Sequence, residues 1–116
     1  NACGLSCDSS GYSSFKNLMQ ALRSRFGSEL VTAAVTASAA NVDKADYAGA
    51  AQYVDWYNVM TYDYFGAFNA QGPTAPHSPL TTYSGIPTAG FDTQDSIAKY
   101  RSIGVAASKL MMGIGF

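Results

Sequence analysis

Trp56-Tyr57-Asn58-Val59-Met60-Thr61-Tyr62 reads as a β-strand, rich in aromatic and β-branched residues and free of charge. Successive side chains of a strand point to opposite faces. Asn58, Met60 and Tyr62 therefore share one side, and Tyr57, Val59 and Thr61 the other. Upstream, Leu30-Val31-Thr32-Ala33-Ala34-Val35-Thr36-Ala37 predicts a strand over 30–37. It is β-branched, uncharged and not alternating, which suits a strand buried on both faces of a parallel sheet. Downstream, a third strand is expected over 109–115, within Lys109-Leu110-Met111-Met112-Gly113-Ile114-Gly115.

Helical patterns separate these strands. Phe15, Leu18, Met19, Leu22 and Phe26 recur at helical spacing, with Lys16, Asn17, Gln20, Arg23 and Arg25 on other faces. A helix over 15–26 follows, capped by Ser13 or Ser14 and ended by Gly27. A second helix is expected from Asn41 or Asp43 to about Tyr53, with Tyr47, Ala50, Ala51 and Val54 on its apolar side. A third is expected over 93–103, stopped by Gly104. Residues 1–14 read as loop, and 63–92, which holds all four prolines, has no period at all. A loop that long in a compact domain usually carries function.

The order is loop, helix, strand, helix, strand, long loop, helix, strand. This is an α/β alternation with parallel strands. A complete eightfold βα barrel takes ~250 residues, or roughly 31 per unit. The 116 residues amount to about 3.7 such units. The chain is thus a small open sheet or a slice of a barrel. It opens without Met at Asn1 and ends in an apolar, strand-like run at Phe116, so a piece of a longer protein is expected.

Composition narrows the function classes. Seven Lys and Arg against eight Asp and Glu leave a net charge of −1, which excludes a nucleic-acid binder working through a basic face. No apolar run approaches the ~20 residues that span a bilayer, so no membrane partner is expected. No Gly-rich phosphate loop follows a strand, and no cofactor is expected. Cys3 and Cys7 lack the spacing of redox or zinc motifs, and the one His cannot complete a metal site with them. In an oxidising compartment they would bridge and pin a short loop; in a reducing one they would be free thiols. The disulfide is the expectation.

In parallel βα folds the working residues gather at the C-terminal ends of the strands. The central strand ends in Met60-Thr61-Tyr62-Asp63, followed by Tyr64-Phe65-Gly66-Ala67-Phe68. A phenol, a carboxylate and several aromatic rings are delivered to one rim. Aromatic faces beside hydrogen-bonding groups suit sugar rings, which have apolar faces and polar edges. The competing reading makes Tyr62 and Phe65 core residues and Asp63 a turn cap.

Tyr57-Asn58-Val59-Met60-Thr61-Tyr62-Asp63-Tyr64-Phe65-Gly66-Ala67-Phe68 resembles the sixth-strand motif of glycoside hydrolase family 18 chitinases. His77-Ser78-Pro79-Leu80 is similar to the loop that follows it there, and Ala106-Ala107-Ser108-Lys109-Leu110-Met111-Met112-Gly113 to the approach to strand seven. The likeness is greatest to the secreted bacterial members. It implies a partial (β/α)8 TIM barrel containing roughly strands five (30–37), six (56–62) and seven (109–115) with their helices, and an active-site loop over 63–92. Residues 1–14 would be the loop after strand four, just beyond a DWEYP motif, and Phe116 would stop short of a YGRGW-like segment.

The chemistry the resemblance implies is retaining and substrate-assisted, an exception to the usual two-carboxylate scheme. A Glu protonates the glycosidic oxygen while the sugar's own acetamido oxygen attacks the anomeric carbon. That Glu would lie before Asn1, and Glu29, ahead of a strand, is at the wrong rim to replace it. What the resemblance assigns to this chain is the positioning half of the site. Tyr62 would hydrogen-bond the acetamido oxygen. Asp63 would stabilise the bound, distorted ring. Met60 would line the pocket beneath it, and Ala34, in a set with Thr32 and Thr36, would leave room for the acetyl methyl. Phe68 stands where many members have a stacking Trp. His77 is either a hydrogen-bond donor in the loop or an ordinary turn residue. The implied partner is chitin or N-acetylglucosamine oligosaccharides, and the implied location is extracellular. The alternatives are a non-catalytic, lectin-like relative with the acid replaced, and an unrelated α/β domain with a chance motif.

Overall fold

The computed structural model of the chain describes residues 6–116. Three parallel strands, β1 (Thr32–Val35), β2 (Trp56–Val59) and β3 (Leu110–Met112), form one sheet in the order β1-β2-β3. Ala34 pairs with Asn58, which pairs with Met111; Val35 pairs with Val59, which pairs with Met112. Helices α1 (Ser14–Phe26), α2 (Ala39–Val42), α3 (Tyr47–Ala50) and α4 (Thr93–Ser102) alternate with the strands, and a 3-10 turn at Ala107–Lys109 leads into β3. Residues 63–92 carry neither helix nor strand.

Several sequence-based expectations change in detail. The three ladders are shorter than 30–37, 56–62 and 109–115, because the flanking residues run extended without a partner strand. β1 is not buried on both faces. Val31, Val35 and Ala37 are buried, while Thr32 and Ala34 are exposed. In β2, Tyr57 and Val59 are buried and Asn58 is exposed. The sheet thus has one face against the helices and one left uncovered among the described residues. The single helix expected up to Tyr53 is two short ones. Its cap is neither Asn41 nor Asp43: the Asp46 side chain accepts from the Gly49 N–H at 2.8 Å and opens α3. That bond first, with Lys16 Nζ at 3.1 Å, holds the Asp46 carboxyl below the usual carboxylate range.

α1 begins without a side-chain cap. Ser13 makes none, and the Ser14 hydroxyl donates to the Gly11 carbonyl at 2.6 Å. It ends at Gly27, whose φ of 58° suits a residue without Cβ and whose N–H donates to the Arg23 carbonyl. Met19 is buried and Phe15 and Leu22 pack on the core, but Leu18 and Phe26 face outward. The core is strongly aromatic. Tyr47 meets Tyr57 and Tyr100 edge-on, with ring centroids 6.0 and 5.5 Å apart. Both partner hydroxyls find backbone acceptors: Tyr57 donates to the Tyr47 carbonyl at 2.8 Å and Tyr100 to the Thr36 carbonyl at 2.7 Å. Burial raises the pKa of both phenols, Tyr57 and Tyr100, so they stay neutral donors. These bonds fix α3 and α4 in register on the sheet.

The N-terminal ends of the strands are clasped by charge. The Asp55 carboxylate accepts from the Val31 N–H at 2.7 Å and from Arg23 at 2.6 Å. The Val31 bond first, then Arg23, lowers its pKa. Arg23 also donates to the carbonyls of Tyr53, Gly27 and Glu29, and Lys109 Nζ donates to those of Ala51 and Val54. With that end spent on structure, the opposite end of the sheet is free to carry a site.

Candidate active-site cleft at the strand ends

Beyond Val59 the central strand leaves the ladder. The Met60 N–H still donates to the Val35 carbonyl, but the Thr61 N–H turns back to the Val59 carbonyl, and Asp63 adopts a left-handed φ of 56°. Alternation holds as far as Tyr62 and breaks at the Asp63 turn. Thr61 is buried, whereas Met60, Tyr62 and Asp63, with the mostly buried Tyr64 behind them, line an open cleft of about 350 Å³. Thr36, Ala37 and Ser38 from the end of β1 form one wall, and Phe68 and Phe91 from the long loop form the other.

Four of the five residues assigned to substrate from sequence, Tyr62, Asp63, Met60 and Phe68, come together here. Ala34 does not line the cleft; it lies two residues below Thr36 on the same exposed face of β1. Phe65 is buried and is core, but Tyr62 is half-buried, and the Asp63 side chain is 73% exposed rather than capping a turn. His77 acts as an acceptor, not a donor: the Asp63 N–H donates to its Nδ1 at 3.4 Å. Among the described residues no cysteine is free and Cys7 is disulfide-bonded, while Cys3 lies outside them.

Behind the cleft, buried hydroxyls tie the rim together. The Tyr64 hydroxyl donates to the Asp92 carbonyl at 2.9 Å and lies 2.6 Å from Ser96 Oγ. Ser96 is also 2.9 Å from the Ala37 carbonyl, so the end of β1, the loop and the first turn of α4 share one node. Burial is the main reason the Tyr64 phenol is pushed up. On the other side Thr61 Oγ1 donates to the Gly113 carbonyl at 2.6 Å, and Ser78 Oγ donates to the Thr61 carbonyl at 2.8 Å. A Cβ at Gly113 would sit 2.8 Å from Tyr62 Cε1, so the strand-exit backbone closes against the Tyr62 ring.

Ser38 and Phe91 were not legible as site residues. Ser38 lies past the last β-branched position, and Phe91 is 28 residues from Asp63 in a loop without period. An aromatic directly after Gly90 was the one available signal; its ring packs 5.7 Å from Tyr64 and 5.6 Å from Phe65.

Parallel βα units with an aromatic, carboxylate-bearing cleft at the C-terminal ends of their strands define an α/β protein of the class that works from its strand ends. The family profile of Glycosyl hydrolases family 18 matches residues 5–116, and the chain belongs to that family. Over its whole length it is 58% identical to chitinase C of Streptomyces lividans and 57% identical to chitinase 63 of Streptomyces plicatus. It spans 20% of the length of each of these relatives. Among solved structures, a mutant of Ostrinia furnacalis Group II chitinase catalytic domain 2, in complex with penta-N-acetylchitooctaose, superposes with a TM-score of 0.80. The identity is 26%, over 86% of this chain and 26% of that one. The sheet and its helices are therefore part of the TIM-barrel fold of this family.

Proposed function

We propose that the full-length protein carrying this chain is a secreted chitinase. It hydrolyses β-1,4-N-acetylglucosamine linkages of chitin and its oligomers with retention, by a substrate-assisted route. Residues 1–116 supply strands five to seven of its barrel. The observation that carries this reading is the convergence of Met60, Tyr62, Asp63 and Phe68 on one cleft at the strand ends, in a chain 58% identical throughout to a chitinase.

Each residue has a chemical task on this reading. The Tyr62 hydroxyl donates to the acetamido group and steers its carbonyl oxygen towards the anomeric carbon. The Asp63 carboxylate holds the acetamido N–H and favours the positive charge that develops as the oxazolinium ring closes. Met60 gives the pocket an apolar floor. Protonation of the leaving oxygen falls to a Glu from the preceding strand. Of the carboxylates on the described residues, Asp63 alone lines the cleft. Glu29 stays beside Arg23 at the opposite end of the sheet. No cofactor is required, and a Cys3–Cys7 bridge fits an extracellular setting.

The test is incubation of the full-length protein with chitopentaose, following the anomeric proton signals of fresh products by NMR. β-Anomers should appear first and mutarotate afterwards. α-Anomers first would overturn the retaining route. Binding without any product would favour the non-catalytic, lectin-like alternative.

Phe68 gives a second measurable expectation. Its ring is 71% exposed at the cleft edge, where a larger indole offers more stacking area. Phe68→Trp should tighten chitooligosaccharide binding by about 0.5–1 kcal/mol, within the range of aromatic stacking contacts. Titration calorimetry showing equal or weaker affinity would remove Phe68 from the sugar-binding surface.

A further inference from the structure

The segment Asp63–Tyr64 lies against His77, and three contacts join the two; the next residue, Ser78, bonds to Thr61 and Gly115. The Asp63 N–H donates to His77 Nδ1 at 3.4 Å, and the Tyr64 N–H donates to the His77 carbonyl at 3.0 Å. His77 Nδ1 is also 3.6 Å from Asp63 Oδ1. Ser78 Oγ donates to the Thr61 carbonyl and accepts from the Gly115 N–H at 3.4 Å. The imidazole rests on Gly115, where a Cβ would come within 2.5 Å of its Cε1. The one non-glycine residue with positive φ among the described residues is thus the one whose N–H is taken up by this imidazole.

A left-handed φ is uncommon outside glycine, costs on the order of 1–3 kcal/mol, and persists where its surroundings impose it. In an ordinary turn the Asp63 N–H would face water or its own carboxylate. Here a side-chain acceptor fourteen residues away receives it. A ring nitrogen that accepts a hydrogen bond carries no proton, so this role requires the Nε2–H tautomer.

We infer that His77 is a positioning residue: as an acceptor, its Nδ1 fixes Asp63 in the left-handed turn that sets the Asp63 carboxylate, and the adjoining Tyr62, at the cleft. This rests on the functional reading above. The imidazole touches no substrate in this role. It determines where the two groups that do touch substrate stand. A misplacement of about 1 Å at such groups costs up to about a hundredfold in rate.

Three variants of the full-length protein separate an acceptor from mere bulk. His77→Leu keeps volume and loses the acceptor. His77→Asn keeps an acceptor at the same distance from Cβ as Nδ1, and His77→Gln moves it one carbon outward. His77→Leu and His77→Gln should lower kcat on chitopentaose about tenfold to a hundredfold, with KM changing less than about threefold. His77→Asn should recover most of the loss. Full activity in the Leu variant, or an Asn variant no better than Leu at equal melting temperature, would overturn the inference. Should the variants not fold, ¹⁵N NMR of histidine-labelled wild type decides: an unprotonated, hydrogen-bonded Nδ1 supports the role, and an Nδ1–H tautomer overturns it. If wild type releases nothing from chitopentaose, the functional reading fails while that spectrum still tests the positioning of Asp63.

Discussion

Tyr62→Phe in the full-length protein is expected to lower kcat by about a hundredfold or more, roughly 2–4 kcal/mol of barrier, while leaving the melting temperature in place. The change removes one oxygen from a ring that is already fixed. Tyr62 is half-buried, and the backbone of Gly113 and Gly115 closes on its ring and Cβ, so a phenyl group keeps the same seat. What disappears is a donor aimed at an oxygen that becomes a nucleophile on the reaction path. Such an interaction strengthens towards the transition state, so its loss appears in kcat rather than in KM. Asp63→Asn completes the series, with activity falling more than affinity, because an amide cannot answer the developing positive charge. Unchanged turnover in a folded Tyr62→Phe enzyme would remove the hydroxyl from the mechanism. Binding lost in proportion, with kcat intact, would make Asp63 a simple ligand contact.

Residues 1–116 expressed alone should neither hydrolyse chitin nor melt cooperatively as a monomer. β1 and β3 are both edges of the three-stranded sheet, with four and three residues in the ladder. Parallel strands are stable when both faces are covered, and here one face is open. Met60, Met111 and Met112 are 38%, 44% and 48% exposed, and Ile114 is 70% exposed just beyond β3. Unpaired edges beside open apolar surface favour association over closure. Gel filtration, a thermal melt and a dye that fluoresces on apolar surface test this directly. A monodisperse monomer with a sharp transition would refute the folding half. Oligosaccharides released from chitin by the purified piece would refute the catalytic half, since the acid proposed for protonation is not among its residues.

The long amphipathic helices were readable because their signals are local. Phe15 to Phe26 repeats at helical spacing and ends on Gly27, and Asp92 caps the stretch that Gly104 terminates. The break between α2 and α3 was not readable, since no Gly or Pro marks it. The sequence points to Asn41 or Asp43 as the cap, and the chain uses Asp46. Strand ends were overextended for a related reason. Leu30, Thr36 and Met60 to Tyr62 have strand character, yet a ladder needs a neighbour, and that is a property of the whole sheet. The site was half legible. Met60 to Asp63 announce themselves at a strand end, whereas Phe91, Ser38 and the Tyr64–Ser96–Ala37 node arise from contacts spanning up to 59 residues. His77 was visible as a residue, but its acceptor role depends on the turn at Asp63.

The odd–even division along the two longer strands also separates two sets of constraints. Val35, Tyr57 and Val59 belong to the hydrophobic core and Thr61 is buried beside them in sequence, while Thr36, Met60 and Tyr62 line the cleft. Because these positions alternate, an exchange at Thr36, Met60 or Tyr62 changes the open side and leaves the buried Val35, Val59 and Thr61 in their seats.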